Sequence, residues 1–138
     1  MGEMAAGEVA KEEGLVVEKF TVKANQDITK GKIVWNDGNG VLTAANTAKG
    51  PFFVPLEDHV YSEASTHEVR CVVRGFVRVM KASGTAIKKG QYVAVSSTAG
   101  VVTLFDYTTP GNWYTVVGTA MEDAAAAATE VLIWIGER

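Results

Sequence analysis

A chain of 138 residues with a formal net charge of −3 and a pI near 5.4 is sized for a single domain with its own core, and its acidic balance offers no basic footprint for phosphates. Hydrophobic residues make up 47% and charged residues 21%, which excludes a disordered chain, and no run nears the roughly 20 apolar residues of a membrane helix. Neither nucleic acid nor membrane is therefore an expected partner, and a protein is. The N-terminus lacks a basic stretch followed by an apolar core, so nothing predicts export.

Residues 1–14, MGEMAAGEVAKEEG, offer only Met1, Met4 and Val9 as larger apolar groups. Such a segment cannot bury enough surface to offset its ordering entropy, and it reads as a flexible N-terminal arm ahead of one β domain over 15–138. From Leu15 the texture turns to β-branched and aromatic residues punctuated by Gly, Asn and Asp, the signature of strands and tight turns. LVVEKFTV (15–22) predicts the first strand. KIVW (32–35) and GVLTA (40–44) flank Asn36-Asp37-Gly38-Asn39, residues that tolerate positive φ, and predict a hairpin. FFVPL (52–56) predicts an edge strand, because Pro55 cannot donate to a ladder. EVRCVVRGFVRVMKA (68–82) is the longest strand signal, with Val69, Cys71, Val77 and Val79 alternating with Arg70, Arg74 and Arg78; Gly75 marks a bend or bulge where the phase shifts. QYVAV (91–95) and GVVTLF (100–105) predict a second hairpin, and WYTVVGTAM (113–121) and EVLIWIG (130–136) complete the set. AAAAA (124–128) has room for about one helical turn and predicts a loop. The spacing of short strands predicts an all-β barrel or sandwich.

The chain also echoes itself. Ile28-Thr29-Lys30-Gly31-Lys32-Ile33-Val34 is matched by Ile87-Lys88-Lys89-Gly90-Gln91-Tyr92-Val93, Leu56-Glu57-Asp58 by Met121-Glu122-Asp123, and Glu68-Val69 by Glu130-Val131. The pattern predicts two related half-repeats. A glycine turn between a buried isoleucine and a strand start reports architecture and no chemistry.

Taken together, ANQDITKGKIVWNDGNGVLTAAN, IKKGQYVAVSSTAGVVT and VVGTAMEDAAAAATEVLIWIG resemble the phage head decoration, or capsid cement, proteins, including the lambda-type decoration protein. The likeness covers residues 15–138; Lys30-Gly31, Lys89-Gly90, Val117-Gly118-Thr119-Ala120 and the alanines from Ala124 to Ala128 carry it. The resemblance implies a homotrimer on the outer surface of a viral head, made in the host cytoplasm, whose partner is the major capsid protein and whose N-terminal arm orders on the shell. On that reading Met4, Glu8, Val9, Leu15 and Val16 are the candidate capsid-binding residues. Trp134 and Ile135, in a terminal strand expected to pair near the first strand and to be buried on both sides, are candidates for core or oligomer seam. The arm looks more acidic than the family pattern, and EDHVYSEASTHE (57–68) is a longer connection than it needs.

The chemistry-bearing residues predict no catalysis, no cofactor and no metal. Glu57, Asp58, His59, His67 and Glu68 match no metal-site spacing and read as a solvated loop. Cys71, mid-strand and without a pairing partner, reads as a buried reduced thiol. The turn 36–40 leads into a strand rather than the helix N-terminus a phosphate cradle wants, and Trp35, Trp113 and Trp134 read as packing residues. The alternative is a biotinyl- or lipoyl-carrier-like module with Lys81 as the modified lysine; a carrier lysine sits at a hairpin tip, whereas Lys81 ends a strand.

Overall fold

The computed structural model describes residues 6–136, with every side chain among them except those of residues 10–13. Nine strands follow one another: β1 (Val9–Thr21), β2 (Val34–Asn36), β3 (Val41–Thr43), β4 (Phe52–Pro55), β5 (Glu68–Met80), β6 (Tyr92–Val95), β7 (Val102–Leu104), β8 (Val116–Ala120) and β9 (Glu130–Ile135). Two single 3₁₀ turns, Tyr61–Glu63 and Trp113–Thr115, are the only helical elements among the described residues, so the all-β reading holds. The strands form one curled antiparallel sheet in the order β3-β2-β4-β5-β9-β8-β6-β7, with β1 paired to β5. At each end the sheet folds back on itself, since β3 bridges to Val22 and β7 bridges to Lys81.

The sequence echo is a structural repeat. Ile28 exchanges two backbone hydrogen bonds with His59 at 2.8 and 2.9 Å, and Ile87 does the same with Ala124 at 2.9 and 2.8 Å. The Lys30 amide donates to the Asp58 carboxylate at 2.8 Å, and that of Lys89 to Asp123 at 2.9 Å. The Arg70 amide donates to Glu57 at 3.0 Å, and the Leu132 amide to Glu122 at 3.1 Å. Each Lys-Gly corner thus turns because an acidic side chain from the strand-end loop opposite satisfies its amide. Gly31 and Gly90 adopt φ of 83° and 95°, which a side chain would strain. The first unit runs from the end of β1 to the first half of β5, and the second from the last half of β5 to β9.

β5 is therefore shared. Its odd residues Val69, Cys71, Val77 and Val79 are all within 1% of full burial, while Arg70 and Arg74 face solvent. The side that faces the main core shifts phase before Gly75: Val69 and Cys71 line a smaller cluster, whereas Val72 lines the main core together with Val77 and Val79. Pairing with β9 then runs unbroken from Gly75 to Met80. The bulge expected near Gly75 lies in β5 itself, where Val73 is passed over between the Val16–Arg74 and Val17–Val72 pairs, and β1 carries further irregularities between Val9 and Val16. Gly75 is needed because β1 passes over it: a Cβ there would lie 3.3 Å from the Leu15 Cα.

Two pairings differ from the sequence expectation. β4 lies between β2 and β5 rather than at an edge; Pro55 is tolerated because it is the last residue of the strand and the next ladder bond comes from the Leu56 amide to the Arg70 carbonyl at 2.9 Å. β9 pairs with β5 and β8 and not with β1, because the long β5 offers both strands a partner. Nor is β9 buried on both sides: Val131, Ile133 and Ile135 are at most 1% exposed, while Leu132 and Trp134 alternate outward. The main core gathers Ile33, Phe52, Val72, Ile87, Val93, Ile133 and Ile135 from both units, each large side chain contributing about 1.5–3 kcal/mol by burial.

Candidate functional site

The candidate capsid-binding residues lie along β1 where they can be placed. Met4 lies outside the described residues. Glu8 accepts the Arg78 amide on its carbonyl at 3.1 Å, and Val9 pairs with Val77, so β1 begins inside the segment read as an arm. Leu15 packs on the core, whereas Val16, opposite Arg74, is 42% exposed. Trp134 stands beside the same stretch of β5. Its ring meets Phe76 edge-on at 4.7 Å, the Arg74 guanidinium lies 5.6 Å from its centroid, and Gly14 approaches it so closely that a Cβ would come within 3.0 Å. Ile135 is 1% exposed, in the core. The fold thus brings Leu15, Val16 and Trp134 together around Arg74–Phe76, with Glu8 and Val9 farther along β5.

The groups weighed for chemistry are tied into the scaffold. Cys71 is fully buried, and desolvation followed by the charge of Glu57 pushes its thiol up to about 12, which keeps it protonated and unreactive. His59 and His67 share a hydrogen bond between Nε2 and Nδ1 at 3.0 Å, and Tyr61 stacks on His67 at 3.6 Å. This pins the long 57–68 connection; no group of three or more His, Cys, Asp or Glu among the described residues is placed to hold a metal. In the turn 36–40 the Gly38 and Asn39 amides are taken by the Asn36 and Asp37 side chains, and Asp37 pairs with Lys23 at 2.5 Å. A phosphate would find those donors occupied. Lys81 is 3% exposed, and its ammonium donates to the carbonyls of Ala82, Ala126 and Ala128 at 2.8, 3.3 and 3.2 Å. It closes the alanine-rich loop from inside and presents no amine for a carrier's modification, which removes the structural basis of the carrier alternative.

The feature that the sequence reading passed over is an aromatic platform on the second unit. Phe105, 3% exposed, is its floor. Trp113 stacks on Phe105 at 5.0 Å with ring planes 28° apart, Tyr107 meets it edge-on at 5.0 Å, and Tyr92 closes the group 5.8 Å from Trp113. Trp113 and Tyr107 remain 57% and 54% exposed, and the neighbouring Tyr114 is 46% exposed. These rings are held. The Tyr107 hydroxyl accepts the Tyr92 amide at 2.8 Å, Asp106 accepts the Thr108 amide and both the Thr108 and Thr109 hydroxyls at 2.6–2.9 Å, and Asn112 donates to the Asp106 carbonyl at 3.1 Å. The threonine hydroxyls hold the Asp106 carboxyl at about 2, well below its usual range. Exposed aromatics on a fixed loop are costly to leave in water and need little ordering on contact, the character of a protein-binding surface.

A signal for it exists in the sequence. Asp106 is the only charged residue between Gln91 and Met121, and Phe105, Tyr107, Trp113 and Tyr114 crowd one connection. Interface centres are depleted in charge and rich in aromatics. Tryptophan in a small β domain reads equally well as core, and only its exposure separates the two.

A family model described as phage cement protein matches residues 13–135, which spans both units. Among solved structures, the N base of the head fiber gp8.5 of bacteriophage phi29 is similar in fold, with a TM-score of 0.54 at 18% identity over 87% of this chain and 94% of that one. No curated protein matches the chain in sequence.

Proposed function

The chain belongs to the phage cement protein family, the capsid-associated structural proteins of phage heads, and on that premise we propose that it binds the outer surface of the head, bridges neighbouring major capsid subunits as a homotrimer, and catalyses nothing. The observation that carries this reading is the family match across residues 13–135. The physical mechanism is linkage: a protein that binds the assembled lattice and not its dispersed subunits stabilises the assembly by mass action, and threefold clustering adds avidity. In this reading the segment through Met4 supplies part of the grip by ordering against a subunit, Glu8, Val9, Leu15 and Val16 meet that subunit along β1, and Trp134 lies at or near the trimer seam.

The test is reconstitution on empty heads of the phage that encodes the chain, prepared without the protein. Added protein is expected to co-sediment with the heads at a fixed ratio and to raise their disruption temperature, while light scattering of free protein shows a trimer. Deleting residues 1–5 is expected to weaken head binding with little change in the thermal unfolding of the free domain. Heads left bare, or bound without any gain in stability, would refute the cementing role.

A further inference from the structure

We propose that the aromatic platform of the second unit is the anchor through which this chain docks on a capsid subunit, and that it receives a lysine or arginine of that subunit against the exposed rings of Trp113 and Tyr107 and the Asp106 carboxylate. The proposal rests on the cementing role and adds to it the surface and the chemistry of its partner.

Charge complementarity identifies the occupant. A carboxylate offers about four acceptor directions. Asp106 uses two on Oδ1, for the Thr108 amide and hydroxyl, and one on Oδ2, for the Thr109 hydroxyl. The Thr109 amide also donates to this carboxyl, so the loop itself fills its acceptor directions and an incoming cation meets Asp106 through its charge rather than through a hydrogen bond. With its carboxyl held at about 2 the side chain is anionic near neutral pH, and no other charge lies in the sequence between Gln91 and Met121. A lone anion beside exposed aromatic faces suits a cation on both counts, since a basic side chain gains from the ring quadrupole and from the carboxylate together.

The exposed rings of the platform have no counterpart in the first unit. The equivalent connection of the first unit, from Ala44 to Pro51, carries no aromatic residue and yet leads into β4 as the second leads into β8. An arrangement that one unit omits without loss of architecture, and that the other fixes with Thr108, Thr109 and Asn112, is preorganised for something outside the chain.

Binding of the full chain to empty heads of its own phage, measured by co-sedimentation at low and high salt, tests the assignment with Trp113→Ala and Asp106→Asn; unfolding curves verify that each variant is folded, and light scattering reports its oligomeric state. Trp113→Ala is expected to weaken head binding by about 30-fold or more. Asp106→Asn is expected to weaken it several-fold and to remove most of its salt dependence, with the oligomeric state unchanged in both. Wild-type protein that leaves the heads bare would overturn the cementing role and this proposal with it. Wild-type binding matched by both variants would overturn the platform alone. Variants that lose self-association instead of head affinity would assign the platform to a second copy of this chain, again overturning the proposal.

Discussion

The two β units of this chain share a hydrogen-bonded skeleton and differ in what their connections carry. In the first unit the connection after Asp58 is pinned by His59, Tyr61 and His67, and that from β3 to β4 is a short turn without aromatics. In the second, the connection after Asp123 is a run of alanines tied from within by Lys81, and that from β7 to β8 holds the aromatic platform. The shared part comprises the Lys-Gly corner, the acidic side chain that satisfies its amide, and the paired bridge. Architecture resides in that repeat, and recognition in the connections where the copies have diverged.

If the skeleton is equivalent, its buried corners must respond alike. Ile28 and Ile87 are the matching corner residues, 2% and 0% exposed, and Ile87→Ala and Ile28→Ala are each expected to cost about 3–4 kcal/mol in chemical denaturation. Ile87 belongs to the larger shared core and Ile28 to a smaller cluster around Val22, Val41 and Val69, so Ile87 is expected to set the upper end. A difference of several kcal/mol between them would break the equivalence of the units.

The next effect belongs to one unit alone. Lys81 occupies the place that Val22 holds in the first unit, each beside the last β bridge, and only the second unit has a loop that needs its ammonium. Lys81→Val copies the first unit into the second and leaves three carbonyls without their donor, an expected loss of about 2–3 kcal/mol. Removing the histidine clamp by His67→Ala strips a ring stack and one hydrogen bond from a partly exposed loop and is expected to cost about 1–2 kcal/mol. Neutral Lys81→Val would mean that the alanine loop closes by itself.

Much of this organisation was legible before the structure. The hairpins around residues 36–39 and 96–99, the alternation of β5 and the half-repeat are all local patterns, and local patterns survive into the fold because turn chemistry and burial act over a few residues. The partner of β9 was not legible. An apolar strand states that it is buried and not against which neighbour, so β5, long enough to serve β1 and β9 both, could not be singled out. Pro55 misled for the opposite reason: a rule about interior strand positions was applied to a strand's last residue. Trp113 and Trp134 carry the same letter and ended in different surroundings, one on an exposed platform and the other packed between Gly14 and Phe76.

The smallest expected effect separates the two units by acid. Each carries an aspartate in a turn with its carboxyl held low, Asp37 by its hydrogen bond with Lys23 and Asp106 by the hydroxyls of Thr108 and Thr109. Asp106 titrates at about 2 in the folded protein, against roughly 3.9 in an unfolded chain. A depressed carboxyl stabilises the fold above the unfolded value, and that stabilisation fades as pH falls from about 4 through the folded value. The platform loop is thus expected to keep its geometry down to about pH 3 and to loosen below it. The near-ultraviolet circular dichroism of Trp113 provides the readout, with Trp35→Phe and Trp134→Phe in the background to isolate its signal. Asp106→Asn is expected to abolish this acid transition while leaving the first unit's response in place, because the Asp37 ion pair depends on a lysine and not on hydroxyls. A Trp113 signal that changes near pH 4 in the wild type and not in Asp106→Asn would show that the threonine hydroxyls do not hold the carboxylate in solution. The loop that presents the platform would then lack the rigidity on which its proposed role in docking depends.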